Sequence, residues 1–401
     1  MIKTISACTA EIDDVTAAVA EISGQLGTDK LLAYSVGMVS CYADFISSGV
    51  IAALAKALPF PIVGTTTIAG AFGAGNTGSG GSQGEMLLVL TILTSDDTEF
   101  IAAVTDSISG EDDAPLRAAW EKTGALRADK PVMMLSFAPL LLNVSGDFYV
   151  ETWSAITGNV PNFGTLAVDH NQDYHESQTI LNGEAFRDRY VFVLFYGKTR
   201  PLFFMGGISE KEAFKEKGVV TAAQGNLLQA VNGVSVADYL TGLGLTKDTS
   251  GNITGINSYP FILDYNDGSA PVVRVMFAVT PDGSAVCGGK IPKGATLTVG
   301  YIDAGEVLKN TDAILASAIK ALEERKSAEN SNGGSMLIFS CVGRFFAQGF
   351  NTSAEMDNIR SALQNIPFHL CYSGTELCPV RGRDGSLVNR SHNDTIILCV
   401  L

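Results

Sequence analysis

Arg344 ends an apolar run, residues 335–344, that predicts a buried strand followed by a polar turn. A guanidinium carries five N–H donors and stays charged, so at the end of a buried strand it needs a carboxylate or an anionic ligand as its partner. Two carboxylates close in sequence, Glu355 and Glu376, are the candidates within the protein. The residues therefore predict either a structural ion pair or a ligand clamp at Arg344, and they favour neither.

Tyr372 and Glu376 end the next apolar run, which begins at Ile366-Pro367. If the two strands are neighbours, Arg344 and these two side chains converge at one edge of a sheet. A phenol, a guanidinium, a carboxylate and nearby hydroxyls suit a small zwitterion such as an amino acid. We therefore predict a ligand-binding crevice at the strand ends, formed by Arg344, Tyr372, Glu376, Cys341 and Glu355.

Cys341 allows two interpretations. As a nucleophile, it would have its pKa lowered by Arg344 and would use a His as base. As a structural residue, it would be a small apolar filler at a strand end, because free Cys is often buried. No motif ties His369 or His392 to this thiol. The sequence favours binding over catalysis and keeps open an enzyme that uses Cys341 or an acid–base pair of Glu376 and His369.

Cofactor and metal motifs are weak in this sequence. Residues 73–78 match the spacing GxGxxG, but further glycines and a predicted strand follow where a dinucleotide site requires a helix. We interpret residues 69–84 as a surface loop, with a flap over a ligand as the alternative. His170 and His175 lie among carboxylates without a standard metal-ligand spacing. We predict no cofactor and no metal.

The elements that position these residues occur three times. Each copy has an apolar strand, a helix, a Pro-led run into a polar turn, and a closing apolar strand. We align Ser35, Ser136 and Ser340 near the ends of the first strands with the prolines of the Pro-led runs. The spacings from Ser35 to Pro61, from Ser136 to Pro161 and from Ser340 to Pro367 are 26, 25 and 27 residues.

This repetition predicts a mixed α/β fold of duplicated strand–helix–strand units, with layered sheets covered by helices. We place a domain boundary near 220, which gives domains 1–220, with two units, and 221–401. In the second domain, residues 225–243 predict a strand, an Asn-Gly turn and a helix. Residues 260–277 predict a β-hairpin, and residues 311–326 predict a long amphipathic helix.

Composition limits the partners. The net charge is −15, with 17% charged and 46% hydrophobic residues, which is typical of a well-cored globular protein and unfavourable for binding nucleic acid or an anionic membrane. No apolar stretch reaches the roughly 20 residues of a membrane span. The seven Cys form no CxxC pair. We expect buried, reduced thiols, no membrane insertion and a cytoplasmic location.

The chain resembles the FIST family of intracellular signal-transduction proteins. The most specific part is Phe339-Ser-Cys-Val-Gly-Arg344, followed by Glu355 on a helix and by the closing turn Tyr372-Ser-Gly-Thr-Glu376. The turns at 63–67 and 163–169 are similar to two Gly-led turns of the family's N-terminal domain, which adds Thr65, Thr66, Thr165 and Asp169 to the predicted ligand-binding residues. Thr375 stands where the family usually has Gly.

The resemblance implies a sensory protein that binds a small ligand, with amino acids as the proposed class, and that signals to a separate partner protein. It implies no enzymatic activity. Two alternatives stay open, a hydrolase or transferase and a protein-assembly module without a small ligand.

Overall fold

The structure is a computed structural model that describes residues 2–26, 31–73, 79–81, 87–171, 173–208, 213–249, 253–329, 334–349 and 351–401. Within these ranges the strands form three six-stranded sheets and one eight-stranded sheet. Each six-stranded sheet takes four strands from one α/β unit and a two-stranded hairpin from another, and the eight-stranded sheet belongs to a β domain (residues 213–303) inserted into the third unit. The mixed α/β fold predicted from the sequence is therefore confirmed.

Unit 1 spans residues 2–95. Its strands, in chain order, are β1 (Lys3–Thr9), β2 (Tyr34–Cys41), β3 (Ile62–Thr66), β4 (Gly70–Gly73), β5 (Ser79–Gly81) and β6 (Leu88–Ser95). Its helices are α1 (Val15–Leu26), α2 (Asp44–Ser47) and α3 (Val50–Ala57). The helix predicted between the first strand and the Pro-led run of this copy is broken between α2 and α3, where Gly49 has a φ of 88°.

Unit 2 spans residues 98–197 and repeats this order. Its strands are β7 (Thr98–Val104), β8 (Met133–Ala138), β9 (Asn162–Leu166), β10 (Thr179–Leu181), β11 (Glu184–Phe186) and β12 (Val191–Gly197). Its helices are α4 (Ala114–Glu121) and α5 (Gly146–Thr157). The sequence predicted β8, α5, β9 and β12, and it missed β7, α4 and the hairpin β10–β11.

The third unit is interrupted after its first strand, β13 (Leu202–Gly206), by the β domain. The strands of the β domain are β14 (Lys217–Gln224), β15 (Leu227–Val231), β16 (Val234–Ser235), β17 (Phe261–Asp264), β18 (Val272–Arg274), β19 (Met276–Val279), β20 (Ala285–Cys287) and β21 (Thr296–Val299), with helix α6 (Val236–Gly242) after β16. All of its strand pairs are antiparallel. The predicted hairpin at 260–277 is the pair β17–β18.

Unit 3 resumes at residue 304. Its further helices are α7 (Ala304–Glu329), α8 (Val342–Ala347) and α9 (Ala354–Ala362), and its further strands are β22 (Met336–Cys341), β23 (Phe368–Ser373), β24 (Glu376–Arg381), β25 (Leu387–His392) and β26 (Ile396–Val400). Since β13 lies before residue 220 and pairs with β26, a division of the chain near 220 cuts this unit. That boundary stays a proposal.

The three units exchange hairpins around a ring. In each sheet the central pair is parallel, β2–β3, β8–β9 and β22–β23. The hairpin β4–β5 of unit 1 completes the sheet of unit 3, β10–β11 of unit 2 completes that of unit 1, and β24–β25 of unit 3 completes that of unit 2. Residues 70–73, which we predicted to lie in a surface loop, are thus a buried strand, and residues 74–78 and 82–86 of that loop lie outside the described residues.

The inner faces of the three sheets enclose one core. It is lined by alternate residues of the central strands, Val36 and Met38 on β2, Leu135 and Phe137 on β8, and Leu337 and Phe339 on β22. The opposite face of each sheet packs on that unit's own helices. A strand covered on both faces needs an uninterrupted apolar run, which is why these strands could be predicted from composition.

The repeated prolines are equivalent in the structure, and the repeated serines are not. The N–H groups of Gly37, Met134 and Met336 donate to the carbonyl oxygens of Pro61, Pro161 and Pro367, respectively. With these positions aligned, Ser340 corresponds to Cys41 and Ala138, so the alignment of Ser340 with Ser35 and Ser136 is wrong. The connection between the first strand and the proline differs in length from unit to unit. Serines at a similar spacing from the prolines therefore lie at different positions along the three strands.

Candidate functional site

Arg344 forms a buried ion pair with Glu355. The guanidinium, on α8, is 1% exposed, and its Nη2 lies 2.6 Å from Oε1 of Glu355 on α9. Nη2 also donates to Thr311 Oγ1 and to the carbonyl of Val307, Nε donates to Ser340 Oγ, and Nη1 donates to Asn310 Oδ1 at 3.4 Å. Of the two interpretations of Arg344, the structure shows the ion pair within the protein.

The carboxylate of Glu355 is also fully satisfied. It accepts from Thr311 Oγ1 at 2.7 Å, from Ser340 Oγ at 2.7 Å and from the Tyr372 hydroxyl at 3.1 Å. Burial and the neighbouring Glu355 carboxylate raise the pKa of Tyr372 well above its usual value, so this phenol stays a donor. The structure brings Arg344, Glu355 and Tyr372 together in a buried network whose hydrogen bonds are made within the protein.

A cavity of about 870 Å³ lies beside this network, at the carboxyl ends of β22 and β23. It is bounded by unit 3, by the segment 140–146 that leads into α5 of unit 2, and by the β domain. Cavities of this size hold drug-sized molecules. Of the nine residues predicted to bind a ligand, Cys341 is the one that lines it.

The segment Ser391–Asp394, which joins the last two residues of β25 to the turn before β26, carries the polar floor of this cavity. Asn393 and Asp394 line the cavity, and Thr375, which accepts from Asn393 Nδ2 at 3.2 Å, lies beside them. Four buried atoms of this segment have no hydrogen-bond partner, namely Ser391 Oγ, His392 Nδ1, Asn393 Oδ1 and Asp394 Oδ2. Most buried polar atoms in native proteins are paired, and Asn393 and Asp394 line the cavity, so their unpaired oxygens indicate a place where a ligand or water completes the bonding.

Glycine is required where other parts of the chain approach this segment. A Cβ at Gly343 would overlap the carboxylate of Asp394, and a Cβ at Gly288 would overlap the amide of Asn393. Both glycines line the cavity, one from unit 3 and one from the β domain. The two segments therefore clamp the side chains of Asn393 and Asp394 in place, which preorganises the floor.

Carboxyl groups dominate the electrostatics of the floor. Burial raises the pKa of Asp394 to about 7, although the charge of Arg344 opposes this shift. Glu376 lies under the floor, where Thr395 Oγ1 donates to its Oε2 at 2.8 Å and its Oε1 has no partner. Burial, and to a lesser extent the charge of Asp394, raise the pKa of Glu376 well above its usual value.

Cys341 is a poor nucleophile in this setting. Its thiol is 4% exposed, and its pKa is raised well above the usual value by burial first and then by the nearby carboxyls Glu376 and Asp394. His369, the candidate base, lies elsewhere in the core and bonds Ser40 and Thr91 at 3.0 and 2.9 Å. Its pKa is lowered to about 3 by burial. The structure therefore does not pair Cys341 or Glu376 with His369.

The predicted residues of the two Gly-led turns fix the exchanged hairpins. Thr65 and Thr66 bond the carbonyl of Gln178, just before β10. Thr165 faces Glu376 across the pair β9–β24, and its hydroxyl donates to the carbonyl of Leu166. These three side chains hold strand partners and do not line the cavity.

Asp169 is fully buried, and its Oδ2 has no partner. Its charge acts on Tyr174, a cavity-lining residue whose pKa is raised by burial first and then by Cys341 and Asp169. Asp169 therefore lies behind the cavity wall. Among the described residues, no group of three or more His, Cys, Asp or Glu is arranged to hold a metal ion.

The β domain is tied to the floor by a second buried ion pair. Arg274 on β18 is fully buried, and its Nη2 lies 2.7 Å from Oδ1 of Asp147 at the start of α5. Its Nη1 donates to the carbonyl of Ser391 at 2.8 Å. The segment Ser391–Asp394 is therefore held from both sides, by unit 3 and by the β domain, and a ligand on the floor would contact both.

The fold and the cavity define a class of protein, three α/β units with an inserted β domain and a ligand-sized cavity between them. The model of the FIST N domain matches residues 35–234, and that of the FIST C domain matches residues 236–379. The chain belongs to the FIST family, whose domains are described as sensory and signal-transduction domains, which confirms the resemblance.

Other comparisons add little. No curated protein is similar enough in sequence to count as a match. The chain is similar to a solved structure of a cyanuric acid hydrolase from A. caulinodans at a TM-score of 0.23 and 11% identity, covering 49% of this chain and 72% of that chain. A likeness this weak carries no argument about function. In the described parts of the chain, no helix has both the length and the hydropathy to cross a bilayer.

Proposed function

We propose that this chain is a sensory protein that binds a small polar ligand, an amino acid or a related amine, in the cavity above the segment Ser391–Asp394. The observation that carries the proposal is the set of unpaired buried atoms in that segment. Two of them, Asn393 Oδ1 and the carboxylate oxygen Asp394 Oδ2, are acceptors on residues that line the cavity. A ligand with N–H donors would satisfy both, and an ammonium group offers three such donors.

The position of the cavity suits a sensor. The lining comes from unit 2, unit 3 and the β domain, so one bound molecule would contact all three. A ligand shifts a conformational equilibrium by its differential affinity for the two states. Binding would therefore favour the arrangement in which the β domain and the units close on the ligand, and a separate signalling protein would recognise that arrangement.

The test uses a variant that fills the cavity. Ala347 on α8 is half-buried and lines the cavity, so Ala347→Trp should occupy ligand space. We expect wild type to bind at least one probe from a set of L-leucine, L-lysine and n-hexylamine in titration calorimetry, and the variant to bind it at least about tenfold more weakly. Lys320→Trp on the exposed side of α7, where the side chain is 78% exposed, is the matched control and should bind like wild type.

Circular dichroism and the melting temperature would show that both variants are folded. Binding by Ala347→Trp equal to that of wild type would place the ligand outside the cavity. Absence of binding by wild type to every amino acid and amine would overturn the proposal.

A further inference from the structure

We propose that the ligand of this cavity is amphipathic, with a primary ammonium head on Asn393 and Asp394 and an apolar body that reaches the cavity mouth. The inference rests on the proposed function and narrows its ligand class. It follows from how polar and apolar groups are distributed along the cavity.

The larger part of the lining is apolar, with polar residues such as Glu111, Asn226 and Lys290 among it. The apolar side chains from unit 2 include Leu140, Leu141 and Val144, and those from the β domain include Val275 and Ile302. An amino acid with a short polar side chain would reach only the floor and leave these apolar side chains in water. A cavity of about 870 Å³ has room for a longer molecule.

Three large apolar side chains stand at the mouth. Leu142, Phe277 and Phe346 line the cavity and are 105%, 63% and 59% exposed. They come from unit 2, the β domain and unit 3, so their clustering is not a property of one loop. Clustered exposed apolar side chains mark binding sites. Because they surround a concave opening, a small molecule suits them better than a protein partner, which needs about 800 Å² of surface on each side.

The head group follows from the number of donors. Two unpaired acceptors, Asn393 Oδ1 and Asp394 Oδ2, belong to adjacent residues that line the cavity. A primary ammonium brings three donors, a hydroxyl brings one and a carboxylate brings none. The floor therefore selects an amine over an alcohol and excludes a fatty acid, whose charge would meet that of Asp394.

The experiment is a calorimetric titration of the full chain with n-butyl-, n-hexyl-, n-octyl- and n-decylamine below their micelle concentrations. We expect the affinity to rise about fourfold per added methylene until the chain reaches the mouth. Octanol should bind at least about tenfold more weakly than octylamine, because it leaves an acceptor unpaired. Octanoate should show no binding.

Two mouth variants, Phe277→Ser and Phe346→Ser, change exposed side chains and should leave the fold intact. Each should reduce the gain in affinity from hexylamine to decylamine. The affinity for butylamine, which is too short to reach the mouth, should not change. Leu126→Ser, which removes a side chain that is 76% exposed and outside the cavity lining, is the matched control.

The outcomes separate this inference from the proposed function. If short amines or amino acids bind and added methylenes do not raise the affinity, the inference of an amphipathic ligand is wrong. The proposed function would still stand. Equal affinity for octylamine, octanol and octanoate would overturn the ammonium head. Failure of every amine and amino acid to bind would overturn both.

Discussion

Glu355→Ala is expected to lower the free energy of unfolding by about 3–5 kcal/mol, because it leaves a charged guanidinium buried without its partner. Arg344 is 1% exposed and cannot lose its proton, and its remaining partners are neutral oxygens. Urea unfolding followed by circular dichroism measures the loss. Family resemblance alone would place Arg344 in a ligand site, whereas in the structure its guanidinium pairs with Glu355 and does not line the cavity.

The matched control lies on the same helix. Asp357 pairs with Arg360 at 2.7 Å on the surface of α9, with side chains 44% and 23% exposed. Asp357→Ala should cost less than about 1 kcal/mol, because exposed ion pairs contribute little. If the two variants lost the same stability, the guanidinium of Arg344 would have to be solvated, and the buried network described above would be wrong.

The affinity for a primary amine is expected to fall about tenfold between pH 8 and pH 6. Burial raises the pKa of Asp394 to about 7, so the carboxylate that receives the ammonium is mostly ionised at pH 8 and mostly protonated at pH 6. The amine, with a pKa near that of Lys at about 10, stays charged throughout. Binding is therefore strongest above pH 7 and is lost as the pH falls through 7. Calorimetric titration with octylamine at four pH values measures this.

Cys341 and His392, two other ionisable groups around Asp394, do not reproduce this profile. Burial raises the pKa of Cys341, so the thiol stays neutral, and burial also raises the pKa of Glu376, a second carboxyl that the variant Asp394→Asn leaves in place. His392, at the end of β25, has its pKa lowered to about 3 by burial and stays neutral. Asp394→Asn should bind octylamine at least about tenfold more weakly than wild type at pH 8. Its affinity should not change between pH 6 and pH 8. A variant that kept the slope would show that another group senses the pH.

The sequence predicts the units of this fold because each central strand is buried on both faces. Such strands read as apolar runs, and Pro61, Pro161 and Pro367 mark the starts of their parallel neighbours. The exchange of hairpins could not be predicted. Whether β4, β10 or β24 stays in its own sheet or joins the next depends on contacts between residues far apart in the chain. β13, an edge strand of unit 3, was not predicted because it lies in a polar, charged stretch, residues 198–219.

The floor of the cavity has only a weak signal in the sequence. Ser391-His-Asn-Asp394 is a polar run before the last apolar strand, and such runs are common in turns. The positions of Asn393 and Asp394 in the floor depend on Gly288 and Gly343, which leave room for their side chains. These two glycines come from different parts of the chain. Thr375, the departure from the family's usual Gly, was a local clue, since it lies beside Asn393 on the cavity wall.

The central claim is that the segment Ser391–Asp394 receives the ligand's amine, and a crystal structure with octylamine at pH 8 tests it most directly. We predict density in the cavity with the amine nitrogen about 2.7–3.0 Å from the carboxylate of Asp394, within hydrogen-bond reach of Asn393 Oδ1, and with the alkyl chain toward Phe277 and Phe346. An amine bound elsewhere, or a carboxylate of Asp394 that is paired with a protein group while the cavity holds only water, would contradict the account.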